Sequence, residues 1–178
     1  MKNSSKIVYR GGIVNIRRDE VTLPSGRKTT REVAEHADAV AIIAIDPAGY
    51  VILEKQYRQA AGKELLEIPA GGIEPGEDPA AAVCREMQEE TGFLPRRVEK
   101  LGGFYSAPGW ATEYLYLFLA TDLVPSRLTA EDTDEIKLET VQVARIAGLI
   151  TEGAIEDSKS VAGLLMYLKL NESGQFLP

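Results

Sequence analysis

The sequence has almost none of the residues from which disulfides and zinc sites are built. Its 178 residues include one cysteine, Cys84, and one histidine, His36. A single cysteine forms no disulfide within the chain, and multi-Cys or His-rich zinc sites need more of either residue. The fold must therefore be held together by its own hydrophobic core, for which this length is sufficient.

Positive charge is the second shortage. With 20 Lys and Arg against 27 Asp and Glu, the formal net charge is −7. Nucleic-acid binding requires clustered basic residues that neutralise phosphates, so this balance indicates that nucleic acid is not a partner. The same acidity would repel an anionic small molecule unless a local feature reverses the sign of the charge.

Long hydrophobic runs are missing as well. Stretches such as Ala39–Ile45 are too short to span a membrane, and the first residues, MKNSSKIVYRGG, lack the apolar stretch of a signal peptide. Hydrophobic content of 44% and charged content of 26% are ordinary for a globular protein. We therefore expect a soluble, cytoplasmic protein without a membrane partner, built as one full domain with at most a small appendage.

The pattern of residues divides the chain into two parts. Residues 1–36 read as short strands joined by turns at Gly11-Gly12 and Pro24–Gly26, with few large apolar side chains. We expect this N-terminal β segment to pack on the main domain or on a second copy of the chain. Residues 37–178 form the main domain.

The main domain alternates buried strands with helices. A helix is predicted from about Pro79 to Thr91, ended by Gly92, and a last helix begins near Asp157 or Ser158. The order of elements predicts an α/β fold in which a mixed sheet lies between helices. Strands are predicted at Val40–Ile45, Tyr50–Leu53, Leu65–Ile68, Val98–Tyr105, Glu113–Ala120 and Glu139–Val143.

Three carboxylates stand out on the first helix. Glu86, Glu89 and Glu90 are three and four residues apart and so share one face. They repel one another, and two of them lie in the last turn, where the helix dipole disfavours anions. A divalent cation removes both penalties, and carboxylate oxygens suit Mg²⁺ or Mn²⁺. The alternative is an ordinary solvated helix face.

The residues around this helix resemble the signature of the Nudix family, G-x5-E-x7-R-E-U-x-E-E-x-G-U, where U is a bulky apolar residue. Gly71 is followed after five residues by Glu77, and after seven more by the run REMQEETGF from Arg85 to Phe93. The resemblance implies an α/β/α sandwich with a mixed sheet, plus a small N-terminal β appendage. It also implies metal-dependent hydrolysis of a nucleoside diphosphate linked to another group.

The resemblance also implies roles by position. Glu86 and Glu90 would be metal ligands, and Glu89 a further or water-mediated ligand and a catalytic candidate. The carbonyl of Ala70 resembles a main-chain ligand of the family. Glu77 and Arg85 would hold the loop against the helix as a charge pair.

Segments outside the signature resemble the ADP-ribose pyrophosphatase subgroup. They are Gln56–Arg58, Leu66–Gly71, Arg31–His36 and Pro108–Trp110, with Pro108 sixteen residues after Gly92. The expected reaction is Mg²⁺-dependent hydrolysis of ADP-ribose to AMP and ribose 5-phosphate. GDP-mannose hydrolases share much of this pattern, and a sensor that binds ADP-ribose without cleaving it is a further alternative.

The subgroup resemblance supplies candidates for substrate contact. Three of them have an alternative structural interpretation: Arg58 as a surface arginine at a strand end, Glu67 as a carboxylate that caps backbone amides, and Trp110 as a packing residue. His36 is interpreted as structural. The candidates are Arg58, Glu67, Arg31, Asp38, Pro108 and Trp110.

The base that activates water is expected on a later acidic loop. Counted back from Ile136, Asp134 and Asp132 resemble the family's two loop carboxylates, which are usually Glu, and Glu135 or Glu131 could substitute. A solvated acidic loop is the alternative interpretation. In the subgroup the N-terminal segment is commonly exchanged between partners, so a homodimer is expected.

Overall fold

Three antiparallel strands at the start of the chain form a sheet of their own. The computed structural model describes residues 2–130 and 135–173. The first sheet has the order β1 (Lys2–Arg10), β2 (Asn15–Thr22) and β3 (Lys28–Glu35). In the turn between β1 and β2, the N–H of Gly11 donates to the carbonyl of Val14 at 2.9 Å. The predicted N-terminal β appendage with its glycine turn is confirmed.

The second sheet is mixed and forms the centre of the molecule. Its order is β10-β5-β4-β9-β8, with β6 paired to β5 and β7 paired to β4. β4 and β9 run parallel, and the other pairs run antiparallel. The strands are β4 (Ala39–Ile45), β5 (Tyr50–Arg58), β6 (Lys63–Glu67), β7 (Ala70–Gly72), β8 (Phe93–Tyr105), β9 (Tyr114–Pro125) and β10 (Lys137–Gln142).

The second sheet splits between β4 and β5. Val51 and Ile52 of β5 pair with the end of β4, but beyond them β5 pairs with β6, while the start of β4 pairs with β7. The connection between β6 and β7 fills the gap, where the N–H of Ile42 donates to the carbonyl of Pro69 at 2.9 Å. We call this gap the fork. It brings the backbone of β7 into the middle of the sheet.

The first helix, α1 (Pro79–Glu86), begins with strong local signals. The side chain of Asp78 accepts a hydrogen bond from the N–H of Ala80, and proline fills the first helical position. The helix continues as a π-helical turn over Met87–Thr91 and ends at Gly92, whose φ of 77° is left-handed. The predicted extent of this helix is confirmed, whereas the π-helical turn was not foreseen.

Two more helices follow the last strand. α2 (Val143–Thr151) begins directly after β10, and it was not predicted. α3 (Ser158–Glu172) was predicted, and its cap is Asp157, whose carboxylate accepts from the N–H of Ser160 at 3.1 Å. No helix within residues 2–130 and 135–173 is long and apolar enough to cross a membrane.

Alternating side chains of β4 build a core on each face of the sheet. Ile42 packs in a buried cluster with Val83 and Met87, which come from α1 and its π-helical turn. Its neighbour Ile43 packs in a second cluster with residues of α2 and α3, among them Leu164. Because successive strand residues face opposite sides, helices cover both faces. The predicted α/β/α arrangement is confirmed.

The N-terminal sheet is attached to the main domain through the end of β3. The N–H of Ala34 donates to the carbonyl of Trp110 at 2.7 Å, and the N–H of Thr112 donates to the carbonyl of Ala34 at 3.0 Å. Both partners lie in the loop between β8 and β9. Across this sheet, on the edge strand β1 and in the turn that follows it, the side chains of Tyr9 and Ile13 are 58% and 80% exposed. The sheet therefore leaves apolar side chains uncovered by its own chain.

We expect Ser160→Ala to lower the free energy of unfolding by about 1–3 kcal/mol, since it leaves a buried N–H unpaired. The hydroxyl of Ser160 accepts from the N–H of Ile68 at 2.9 Å and so ties α3 to the connection at the fork. Urea unfolding measures the change. Ser158→Ala, at the exposed first residue of α3, is the control and should change stability by less than about 0.5 kcal/mol. Equal values for the two variants would contradict this role.

Candidate active site

The closest approach in the site is between the backbone of Gly71 and the carboxylate of Glu86. A Cβ atom added to Gly71 would lie 2.0 Å from Cδ of Glu86 and 2.1 and 2.2 Å from its two oxygens. No other amino acid fits at this position without moving the carboxylate or β7. Glycine therefore allows Glu86, which is 8% exposed, to lie directly on the strand.

Glu90 lies beside Glu86 on the same stretch of backbone. Its Oε2 accepts a hydrogen bond from the N–H of Ala70 at 3.1 Å. Burial raises the pKa of Glu86 and raises the pKa of Glu90 further, and for Glu90 the charges of Glu54 and Glu86 add to the effect of burial. Negative charge is thus crowded at Ala70 and Gly71.

Arg85 connects this helix to the preceding loop. Its guanidinium donates to both oxygens of Glu77 at 2.9 Å and to the carbonyl of Gly72 at 2.8 Å. The remaining nitrogen, Nη1, donates to Glu86 at 2.7 Å and to Glu89 at 3.1 Å. The hydrogen bonds from Arg85 lower the pKa of Glu77. The predicted charge pair of Glu77 and Arg85 is confirmed. Arg85 also partly neutralises the helix carboxylates Glu86 and Glu89.

The donor set around Ala70 suits a hard divalent cation. Glu86 and Glu90 would supply carboxylate oxygens there, with Glu89 one turn away beside Arg85, and the backbone would supply the carbonyl of Ala70; these are the ligands that Mg²⁺ and Mn²⁺ prefer. Among the residues that the structure describes, no three His, Cys, Asp or Glu side chains are already placed as a complete metal site. The fit rests on the oxygen chemistry and on a buried carboxylate close by, Glu54.

Sequence reasoning missed Glu54. It lies on β5, is 3% exposed, and its Oε1 has no hydrogen-bond partner among the described residues. Burial raises the pKa of Glu54 to about 7, against the opposing charges of Lys159 and Arg58. A signal was available, because a glutamate directly follows the buried apolar run Val51–Leu53, where a charge is unexpected.

A groove of about 610 Å³ opens beside Ala70–Gly72. Arg58, Glu67 and Lys159 also line it. The guanidinium of Arg58 binds both oxygens of Glu67, through Nε at 3.1 and 3.2 Å and through Nη2 at 2.6 Å. Two candidates named from the sequence, Arg58 and Glu67, therefore lie together in one groove with the metal candidate Ala70.

Lys159 completes the polar side of the groove and was not foreseen. Its Nζ donates to Glu67 at 2.6 Å and to Asp157 at 2.9 Å. Although burial opposes it, the hydrogen bond from Arg58 and the charge of Lys159 lower the pKa of Glu67. One buried carboxylate thus fixes two cations at the groove. Lys159 stands at the start of α3, and nothing in its local sequence indicates that this helix end reaches the groove.

The other substrate-contact candidates are placed elsewhere. Asp38 accepts from the N–H of Tyr114 at 3.3 Å, next to the start of β4. Pro108 and Trp110 are in the loop that holds the N-terminal sheet, and Trp110 is 62% exposed. Arg31 is exposed on β3 and donates to the carbonyl of Thr30. The described part of the chain places none of these four in the groove lining.

The candidates for the base are only partly visible. Glu135 is exposed, shortly before β10. Asp132 and Asp134, with Glu131, lie outside the described residues. His36 lines the groove, and its Nδ1 donates to the carbonyl of Ala37 at 2.7 Å and lies 3.3 Å from Glu113.

Comparison with known families identifies the chain. Residues 35–164 match the model of the NUDIX domain, and residues 2–34 match that of the nucleoside diphosphate sugar hydrolase N-terminal domain. The chain belongs to the Nudix family. It is a Nudix hydrolase, as the signature implied.

Curated relatives match this Nudix hydrolase over most of their length. The ADP-ribose pyrophosphatase of Bacillus subtilis (strain 168) is 31% identical over 94% of this chain and 91% of its own. The methanol dehydrogenase activator of Bacillus methanolicus is 37% identical over 93% and 90%. The ADP-ribose pyrophosphatase of Mycobacterium tuberculosis (strain ATCC 25618 / H37Rv) is 35% identical over 91% and 80%.

A solved structure shares the whole fold of this Nudix hydrolase. The crystal structure described as an ADP compounds hydrolase superposes with a TM-score of 0.89, at 21% identity, over 99% of this chain and 96% of that one. The match includes the N-terminal sheet, since it covers nearly all of the chain. At this identity it supports the fold alone.

We expect Gly71→Ala to reduce hydrolysis of nucleoside diphosphate sugars on the order of 100-fold, because the displaced carboxylate of Glu86 is no longer aligned for the reaction. The added Cβ would overlap the carboxylate of Glu86. Gly72→Ala is the matched control, since a Cβ there meets nothing within 4 Å. Steady-state rates of both variants, with circular dichroism to verify folding, measure the difference. Similar rates for the two variants would refute the importance of the close approach.

Proposed function

We propose that this Nudix hydrolase cleaves the pyrophosphate of ADP-ribose to AMP and ribose 5-phosphate, with Mg²⁺ as cofactor and Mn²⁺ as a substitute. The observation that carries the proposal is one groove lined both by the backbone against which Glu86 and Glu90 lie and by two fixed cations. Ala70–Gly72 supply the backbone, and Arg58 and Lys159 supply the cations. A diphosphate between two organic groups fits such a combination of groups.

The residues beside Ala70 would hold the metal. Glu86, Glu90 and the carbonyl of Ala70 are the proposed ligands, with Glu89 as a further or water-mediated one. A divalent cation bound there supplies charge neutralisation of the pyrophosphate and an activated water. Arg85 holds the carboxylates of Glu86 and Glu89 together through its hydrogen bonds. The role of this chain is therefore to hold anionic ligands close together before substrate arrives.

The cations of the groove would bind the phosphates. A guanidinium presents several donors in a fixed fork and so suits phosphate oxygens. Glu67 holds Arg58 through a two-oxygen contact, which limits the loss of conformational freedom when a phosphate binds. The proposed base is a carboxylate of the acidic loop, Asp132, Asp134 or Glu135, and it would accept a proton from the attacking water.

The second part of the proposal is a homodimer that exchanges the N-terminal segment. The proposed division at residues 36 and 37 agrees closely with the two family matches, to residues 2–34 and 35–164. Arg31 and Trp110 are exposed and lie outside the groove of their own chain. In the exchanged dimer we propose that Arg31, with Asp38, Pro108 and Trp110, contacts the nucleotide.

Two alternatives compete with ADP-ribose hydrolysis. One is the same chemistry on another nucleotide sugar such as GDP-mannose, because Arg58 and Lys159 recognise the phosphates rather than the base. The other is a sensor that binds ADP-ribose without cleaving it. The crowded carboxylates of Glu86 and Glu90 favour an enzyme, since a protein that only binds an anion gains nothing from crowding negative charge beside it.

We expect a panel of ADP-ribose, GDP-mannose, NADH and diadenosine polyphosphates to give the highest kcat/KM with ADP-ribose in Mg²⁺. Excess EDTA should abolish turnover, and added Mg²⁺ should restore it, because the proposed reaction requires the divalent cation held by Glu86 and Glu90. Higher kcat/KM with GDP-mannose would replace the proposed substrate. Tight ADP-ribose binding with no turnover on any compound would favour the sensor.

We expect light scattering at micromolar concentration to give about twice the chain mass of 19.4 kDa. Ile13→Asp should shift the protein toward monomer, since it places a charge on the exposed apolar part of the N-terminal sheet. Leu165→Asp on α3 makes the same kind of change at another exposed position and should leave the mass unaltered. A monomeric native chain would refute the dimer.

A further inference from the structure

Glu54 faces the helix that carries the signature carboxylates. Ile52, two residues earlier on β5, packs in the buried cluster with Val83 and Met87 of that helix. The pairing of β5 with β6 runs from Glu54 to Arg58 without a register shift, and residues two apart on a strand share a face. The side chain of Glu54 therefore lies on the same side of the sheet as Glu86.

The fork places Glu54 beside the proposed metal site. Glu54 is the first residue of β5 that pairs with β6, opposite Glu67. Three residues beyond Glu67, the N–H of Ala70 binds the carboxylate of Glu90. The same gap in the sheet thus gathers one carboxylate from β5, one from the helix and the backbone of β7.

Nothing within the described chain fully compensates the charge of Glu54. Its Oε1 is buried and has no hydrogen-bond partner there. The two nearby cations, Arg58 and Lys159, both bind Glu67 instead. A buried carboxylate oxygen without a donor is strongly unfavourable, and a glutamine or leucine at this position would destabilise the fold less. A cation between the sheet and the helix would satisfy Glu54 together with Glu90.

We propose that Glu54 is a further carboxylate ligand of the divalent cation held by Glu86, Glu90 and the carbonyl of Ala70. The proposal rests on the metal site of the proposed function. The signature ligands come from the helix and from β7, whereas Glu54 approaches from β5. The ion would then be held by groups from the helix, from β7 and from β5. Its binding would depend on β5 as well as on the residues of the Nudix signature.

Direct Mn²⁺ binding without substrate tests this proposal. Electron paramagnetic resonance of free Mn²⁺ would be titrated against the native chain, Glu54→Gln and Glu90→Gln. We expect Glu54→Gln to weaken Mn²⁺ binding by about tenfold or more, as loss of one charged ligand does. Glu64→Gln, an exposed position on neighbouring β6, removes the same charge and should bind Mn²⁺ like the native chain. Native affinity in Glu54→Gln overturns the proposal.

The outcomes separate this proposal from the metal assignment. If Glu90→Gln weakens Mn²⁺ binding and Glu54→Gln does not, only the role of Glu54 is wrong. If neither variant weakens it, the metal site itself is wrong and both proposals fall.

Thermal unfolding supplies a second readout that distinguishes a ligand from a structural residue. In EDTA, Glu54→Gln should have a Tm equal to or above that of the native chain, because it removes a buried charge. With Mn²⁺, its Tm should rise less than that of the native chain. A lower Tm in EDTA with an unchanged rise in Mn²⁺ would mean a structural role and overturn the proposal. Glu54→Asp, which keeps the charge, should recover part of the Mn²⁺ affinity.

Discussion

The contact between Gly71 and Glu86 is the constraint on which the rest of the site depends. It brings a carboxylate onto the backbone of β7 at a distance that no side chain at residue 71 permits. Once Glu86 is fixed there, the next turn of the helix sets Glu90 against the N–H of Ala70. Arg85 then holds this face to the loop through Glu77 and Gly72. Helix, loop and strand therefore form one rigid unit around the crowded charges.

The split sheet explains why the two halves of the groove meet. A continuous β4–β5 pair would leave no space for the connection that carries Glu67 and Ala70. Because the strands separate beyond Ile52, this connection enters the sheet and presents one residue to the helix carboxylates and the other to Arg58. The proposed diphosphate site thus lies at a gap in the sheet, where backbone and side chains of neighbouring strands converge.

The sequence predicted the parts of the fold that local signals determine. The helix from Pro79 to Thr91 was predicted because a cap, a proline and a terminal glycine mark its ends. α2 was missed because it follows β10 without a break and no capping side chain marks its start, since Gln142 makes no capping hydrogen bond. Glu54 and Lys159 were missed for another reason. The glutamate after Val51–Leu53 signals an unusual buried charge, but its place in the site depends on the fork, and that of Lys159 depends on how α3 packs. Neither arrangement is encoded within a few residues of these side chains.

The acidity of the chain has a physical interpretation once the site is known. A net charge of −7 should repel a diphosphate at long range, yet the groove presents Arg58 and Lys159 to it. Opposing charge near the groove is buried at Glu54 and Glu86, where low polarity strengthens every interaction with a cation. Buried carboxylates are therefore a poor arrangement for binding an anion alone and a good one for binding an anion through a metal. The charge that argues against a phosphate ligand alone is compatible with the proposed function, in which a divalent cation binds together with the phosphate.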